Sequence, residues 1–253
     1  MNQPDFIDSP DGRRIALHAT PGGAPGVVFM GGFRSDMTGS KATALEDHVT
    51  GRGHGFLRFD YSGHGQSSGR FEDGTVSDWL ADSLAVIDAQ TAGPQILVGS
   101  SMGGWLALLA ALARPDRIAG LVLIAPAPDF TERLMWQVFS DATKTRLMDS
   151  GRHAEPNPYD DTPTVITRRL IEDGRRHLLL DAPIAIHAPV RILHGQADQD
   201  VPWRLSLELA DRLAGEDVAT TLVKSGDHRL STPRDLARLC ATLDGLLRQA
   251  DDA

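Results

Sequence analysis

A single cysteine, Cys240, stands in a chain of 253 residues, so no internal disulfide can form. Set among Leu236, Leu239 and Leu243, it reads as a small buried hydrophobe, and a reducing, cytoplasmic compartment is the default expectation. An excess of positive charge is also missing. The 25 Lys plus Arg face 34 Asp plus Glu, and a formal net charge of -9 opposes any partner carrying dense rows of phosphate. Nucleic acid and anionic membrane are therefore excluded as expected partners. The longest apolar run, Leu106 to Ala113, falls far short of the roughly 20 residues a membrane-spanning helix needs. The opening MNQPDFIDSPDGRR has no basic segment leading into an apolar one, so no secretory signal is expected. There is no H-E-x-x-H and no cysteine pair, no G-x-x-x-x-G-K-[ST], and no G-x-G-x-x-G opening a helix. Neither a metal nor a nucleotide or other cofactor is called for.

What is present is ordinary globular material, 41% hydrophobic and 23% charged. Short β-type runs alternate with helical periodicity from Val27 almost to the C-terminus, as a wound α/β sheet requires. Expected strands are Arg14 to His18, Gly26 to Met30, Gly55 to Phe59, Gln95 to Val98, Gly120 to Ile124, Val190 to Leu193 and Ala219 to Val223. Several are continuous apolar runs, which suit a mostly parallel sheet buried on both faces. Leu80, Leu84 and Ile87, then Leu205, Leu209 and Leu213, then Leu236, Leu239, Leu243 and Leu246 each mark one apolar helix face. Thr232 and Pro233 give the last helix its start. Residues 1 to 253 are read as one domain. About 59 residues from Thr131 to Pro189 interrupt the alternation, carrying Met135-Trp-Gln-Val-Phe139, the turn-rich Glu155-Pro-Asn-Pro-Tyr-Asp-Asp-Thr-Pro163 and the amphipathic Val165 to Gly174. So long a crossover reads as a helical cap inserted over the sheet.

The sharpest motif is Gly99-Ser-Ser101-Met-Gly103, a G-x-S-x-G between the apolar Ile96-Leu97-Val98 and the helical Trp105 to Ala113. A serine on a strained strand-to-helix turn needs small residues two positions to either side. Centring the motif on Ser100 would put Val98 and Met102 where glycine is wanted, so Ser101 is the candidate nucleophile. A serine hydroxyl is a poor nucleophile at neutral pH and needs a base, which needs an orienting acid; here the chain order is serine, acid, histidine.

His194-Gly-Gln-Ala-Asp198-Gln-Asp200 follows one strand and Ser225-Gly-Asp-His228 follows the next. Both sit at strand C-termini, where an open parallel sheet gathers its functional loops. His228 is the candidate base. Asp198 is preferred to Asp200, which precedes Val201-Pro202 and has a role at the next helix entry. His194 comes before the acid and is given a structural turn role. His64, in the glycine-rich turn Asp60 to Ser67, is read as structural punctuation, and His18, His48, His54, His153, His177 and His187 as surface or satisfied core residues. Backbone N–H groups for an oxyanion are expected from Met102 at the helix start and from Phe33 in the Gly31-Gly-Phe-Arg loop.

With Gly-Ser-Ser101-Met-Gly-Gly, the Arg58-Phe-Asp-Tyr-Ser-Gly-His-Gly turn, His194-Gly-Gln-Ala-Asp198 and Asp227-His228 in order, the chain resembles the α/β-hydrolase superfamily from about Arg14 to Leu247. The strings Gly93 to Trp105, Ala113-Arg-Pro-Asp116 and Leu193 to Trp203 are similar to a mitochondrial branch of it whose members act as palmitoyl-protein thioesterases and acyl-glucuronide esterases. That resemblance implies hydrolysis of a small-molecule or protein-linked acyl ester or thioester, depalmitoylation included, with Ser101, Asp198 and His228 as the triad.

Two other readings stay open. A serine peptidase would need a larger cap or propeller than this chain has room for. A ligand sensor on the same fold would hydrolyse once and stall. Trp136 and Phe139, spaced i, i+3, are the candidate acyl-binding pair, with sealing of the cap against the sheet as the alternative. No oligomeric state is read from the sequence.

Overall fold

The computed structural model describes residues 3–155 and 163–251. Ten strands are β1 (Asp5–Asp8), β2 (Arg14–Thr20), β3 (Gly23–Met30), β4 (His54–Phe59), β5 (Gln95–Ser100), β6 (Ile118–Ile124), β7 (Arg152–Glu155), β8 (Thr164–Thr167), β9 (Val190–Gly195) and β10 (Val218–Val223). The helices are α1 (Ser40–Thr50), α2 (Val76–Gln90), α3 (Met102–Ala113), α4 (Asp141–Ser150), α5 (Arg168–Gly174), α6 (Arg204–Arg212) and α7 (Pro233–Asp251). Eight strands form one sheet in the order β1-β2-β4-β3-β5-β6-β9-β10, antiparallel at β1/β2 and β2/β4 and parallel from β4 onward.

Two apolar layers explain the continuous runs. Side chains alternate across a strand, so Val28 and Met30, Leu97, and Leu121 and Leu123 face a core with Trp79 of α2, Leu106 of α3 and Leu205 and Leu209 of α6. Their neighbours Val27 and Phe29, Ile96 and Val98, and Val122 and Ile124 face Leu45 and Val49 of α1 and Leu239 and Leu243 of α7. Each such side chain contributes about 1.5–3 kcal/mol by leaving water, and Leu97→Ala would cost about 2–5 kcal/mol once the cavity is counted. α7 starts at Pro233 as its sequence predicts, with the Asp235 N–H donating to Thr232 Oγ1 at 3.3 Å. No helix among the described residues is long and apolar enough to cross a membrane.

Between β6 and β9 the chain leaves the sheet. A six-residue turn of π-helix, Thr131–Trp136, is followed by α4, an antiparallel β7/β8 hairpin and α5. Most of the turn-rich stretch after Glu155, residues 156–162, lies outside the described residues. The excursion is fastened at its two ends: the buried Asp129 carboxylate accepts the N–H groups of Leu179 and Leu180 at 2.8 and 3.0 Å. Asp173 accepts the N–H and hydroxyl of Ser77 at the start of α2, each at 2.8 Å.

The parallel register sets the site. Met30 lies beside Gly99, Ser100 beside Ile124, and Val223 beside Gly195, so the loops after β3, β5, β9 and β10 all emerge at one edge.

Candidate active site

The loop after β5 is a tight strand-to-helix turn. Ser101 has φ 54° and ψ −118°, a conformation side-chain-bearing residues avoid, and three backbone bonds hold it there. Its N–H donates to Ile124 O at 2.9 Å, while its carbonyl accepts from Gly104 at 2.9 Å and Ala127 at 3.1 Å. The flanking glycines are obligatory by contact: a Cβ on Gly99 would lie 2.3 Å from Gly103 O, and one on Gly103 would lie 2.1 Å from Met30 O. The turn lifts the Ser101 hydroxyl off the sheet at the N-terminus of a twelve-residue helix, whose partial positive charge favours a developing anion.

The loop after β10 brings His228 to that hydroxyl. His228 Nε2 lies 3.1 Å from Ser101 Oγ, and Nδ1 lies 2.8 Å from Asp198 Oδ2. The Asp198 side chain is shut off from solvent. Its Oδ1 accepts the N–H groups of Asp200 and Val201 at 2.8 and 2.9 Å. Burial alone would raise this carboxyl, but donation from His194, His228 and Val201 outweighs it and holds the group well below the usual carboxylate range. Asp198 is thus the carboxylate bonded to His228 Nδ1, whereas Asp200 is exposed and its backbone N–H donates to Asp198 Oδ1. Ligand-type atoms of Asp198, Asp200 and His228 lie within 4.8 Å of one another among the described residues. Asp198 and His228 bond each other, and their remaining atoms meet His194, Ser101 and the N–H groups of Asp200 and Val201, so the pair is part of a hydrogen-bonded network.

The loop after β3 closes the other side. A Cβ on Gly32 would lie 3.4 Å from Ser101 Cβ, which brings the Phe33 peptide to the same edge as the Met102 N–H. The Asp60 to Ser67 turn, read from sequence as punctuation, holds that loop. Tyr61 donates its hydroxyl to Gly31 O at 3.1 Å, the Arg34 N–H donates to His64 Nε2 at 3.2 Å, and Asp60 accepts the Met37 N–H at 2.7 Å. Burial pushes the His64 imidazole down to about 4, so at neutral pH Nε2 is free to accept. The Phe33 ring is wedged edge-on against Phe71, Trp79 and Phe130.

Ser101 and His228 open into a cavity of about 1100 Å³. Its lining mixes apolar residues, among them Phe33, Phe130, Leu134, Met135, Phe139 and Ile166, with the polar Arg34, Asp36, Lys41, Asp200 and Arg229. Lys41 was not picked out by sequence. Its amine, lowered to about 8 by burial with the Arg229 charge adding to the effect, donates to Arg229 O at 2.6 Å and so ties α1 to the His228 loop. Arg34 bridges to the excursion through Thr164 Oγ1 at 2.9 Å. Of the aromatic pair, Phe139 lines the cavity and Trp136 does not. Trp136 lies under the Arg175 guanidinium, 4.7 Å from the ring centre, and packs with Leu147, Ile166 and Ile171. Both rings pack against the Leu147, Ile166 and Ile171 cluster, next to a π-turn in which the Gln137 N–H donates to Glu132 O, and of the two Phe139 reaches the cavity.

Residues 26–169 match the family described as serine aminopeptidase, S33. The bovine mitochondrial palmitoyl-protein thioesterase ABHD10 is 40% identical over 96% of this chain and 79% of its own length. The solved structure of α/β hydrolase domain-containing protein 10 from mouse superposes with a TM-score of 0.91 at 38% identity, covering 98% of this chain and 99% of that one. Est1E from Butyrivibrio proteoclasticus with ferulic acid bound shares the fold at 21% identity, with a TM-score of 0.82 over 98% of this chain and 100% of that one. These relatives overturn the cytoplasmic expectation, because the curated thioesterases are mitochondrial proteins. A chain with one cysteine forms no internal disulfide in any compartment, so the cysteine count never distinguished them. With one family match across more than half its residues and a relative 40% identical along nearly all of it, the chain belongs to the α/β-hydrolase family.

Proposed function

We propose that this α/β hydrolase cleaves carboxylic acyl esters and acyl thioesters through an acyl-enzyme on Ser101, with His228 as general base and Asp198 as the acid that orients it. The observation that carries the reading is the unbroken chain Ser101 Oγ, His228 Nε2, His228 Nδ1, Asp198 Oδ2, with gaps of 3.1 and 2.8 Å, on a strained strand-to-helix turn. His228 Nε2 takes the hydroxyl proton as Oγ bonds to the acyl carbon. The carbonyl oxygen becomes an oxyanion held by the N–H groups of Met102 and Phe33. Collapse breaks the bond to the leaving oxygen or sulfur, which takes the proton back from His228. Water, deprotonated by the same imidazole, then bonds to the acyl carbon and releases the acid and the free Ser101 hydroxyl.

The acyl group belongs against the apolar lining of the cavity and the leaving group near its polar residues, Lys41 and Asp36 among them. The excursion from Thr131 to Pro189 serves as the cap of a single domain and supplies Phe139 to the apolar lining. The curated relatives named palmitoyl-protein thioesterases support the thioester and the protein-linked acyl chain as substrate. The test is one panel of oxygen esters and thioesters of graded acyl length, run with wild type and Ser101→Ala. Multiple turnover by wild type on both bond types and none by the variant is expected. A burst that stalls after one equivalent would favour a sensor instead.

A further inference from the structure

Two histidines meet one carboxylate oxygen. Asp198 Oδ2 lies 2.8 Å from His228 Nδ1 and 3.0 Å from His194 Nε2. His194 is wholly buried at the end of β9, and so is Ser206, whose Oγ sits 2.6 Å from the other ring nitrogen, Nδ1. The proton positions follow from the partners. Nε2 also faces Val201 O at 3.0 Å, and neither a carboxylate nor a carbonyl donates, so Nε2 carries the hydrogen. Nδ1 is then the lone pair, and the Ser206 hydroxyl donates to it.

We propose that His194, its ring held by Ser206, is a positioning residue for the reaction, and that its N–H sets the rotamer and the charge distribution of Asp198 and thereby aligns His228. The inference rests on the triad assignment above. A carboxylate with four donors, two on each oxygen, has one orientation open to it; without the His194 donor, Oδ2 keeps a single partner and can rotate away from it. The freed oxygen also concentrates negative charge on the one N–H that remains, which holds a proton on His228 more firmly. Loss of the donor therefore slows the chemical step and moves the acidic limb of activity to higher pH. The charged groups around His228 are Asp198 and Asp200 from the β9 loop, its sequence neighbours Asp227 and Arg229, and Lys41 of α1, which donates to Arg229 O. A change at position 194 reaches these groups through Asp198, to which His194 donates.

The test compares wild type, His194→Met, His194→Gln, Ser206→Ala and Ser101→Ala as full-length chains, each checked for folding by thermal melting. His194→Met should lose tenfold or more in kcat with KM within about twofold, and its kcat/KM limb should shift upward by half a pH unit or more. His194→Gln, whose side-chain amide reaches the place of Nε2, should recover most of the rate and the wild-type limb. Ser206→Ala should show a smaller loss with a shift in the same direction, and it decides the matter if His194→Met does not fold. A wild-type rate and limb in His194→Met, equal losses in Met and Gln with an unmoved limb, or an unmoved limb in Ser206→Ala would each overturn the proposal. Activity surviving in Ser101→Ala would instead overturn the triad itself.

Discussion

The imidazole of His64 accepts the backbone N–H of Arg34 at 3.2 Å, while its other nitrogen lies 3.2 Å from Ser62 O, so a buried neutral histidine spans the loop that carries Phe33 and the turn after β4. Arg34 itself has φ 59°, a strained backbone that this bond helps to hold. The bond requires an unprotonated Nε2, and burial keeps it so down to about pH 4.

That arrangement fixes a sign for the dependence of stability on pH. The unfolded chain takes up a proton at a histidine near 6.5, whereas folded His64 takes one only near 4, so between those values the unfolded state binds more protons. The stability due to keeping His64 neutral is complete above 6.5 and is lost as pH falls toward 4, by on the order of 3 kcal/mol. Urea denaturation at pH 7, 5.5 and 4.5 should show that loss in wild type and a shallower one in His64→Gln. Parallel curves for the two proteins would show that His64 has no part in it.

A fluorophosphonate should label Ser101 stoichiometrically, because its hydroxyl lies against His228 at the N-terminus of α3 and opens into the cavity. Mass spectrometry of the labelled chain should place one adduct on the peptide carrying Ser101. An adduct that persists in Ser101→Ala would refute the assignment.

Asp198 and Asp200 differ only two positions apart, and the geometry separates them. Asp198→Asn is expected to cost on the order of 10⁴-fold in kcat, because the amide can present a donor where His228 Nδ1–H needs an acceptor. Asp200→Asn keeps the backbone N–H that Asp198 Oδ1 accepts and should retain most activity. The reverse ranking, measured on folded protein, would move the acid to Asp200.

Much of this was legible in the chain because it depends on local patterning. All seven expected strands are present in the sheet, since a strand between two helical layers must be apolar on both faces, as Ile96, Leu97 and Val98 are. The strands that escape are those with no such need: β1, an edge strand with Phe6 exposed, and the polar β7 of the hairpin. Val165 to Gly174 has the periodicity of one helix, yet its first residues pair as β8 and Thr167 caps α5. Ser101, Asp198 and His228 are readable because each follows a strand end. The contacts of His194 with Ser206 and of Lys41 with Arg229 O join separate elements, the latter across 188 positions, and no local pattern encodes them.

The two aromatic residues of the excursion provide the last prediction, because of the two it is Phe139 that lines the cavity. Phe139 lines the cavity with Leu134 and Met135, whereas Trp136 lies under Arg175 and is not among the lining residues, although both pack against the cluster of Leu147, Ile166 and Ile171. If the apolar lining receives the acyl chain, each methylene buried there contributes about 0.8 kcal/mol, and kcat/KM should climb about fourfold per carbon until the space is filled. Phe139→Ala should shift the chain length at which that climb ends while acetyl ester hydrolysis stays near wild type. Trp136→Ala should instead lower the melting temperature and leave the chain-length profile in place, since what it removes is packing between α4, α5 and the π-turn. A profile altered by Trp136→Ala and untouched by Phe139→Ala would mean that the acyl group lies against the other face of the excursion.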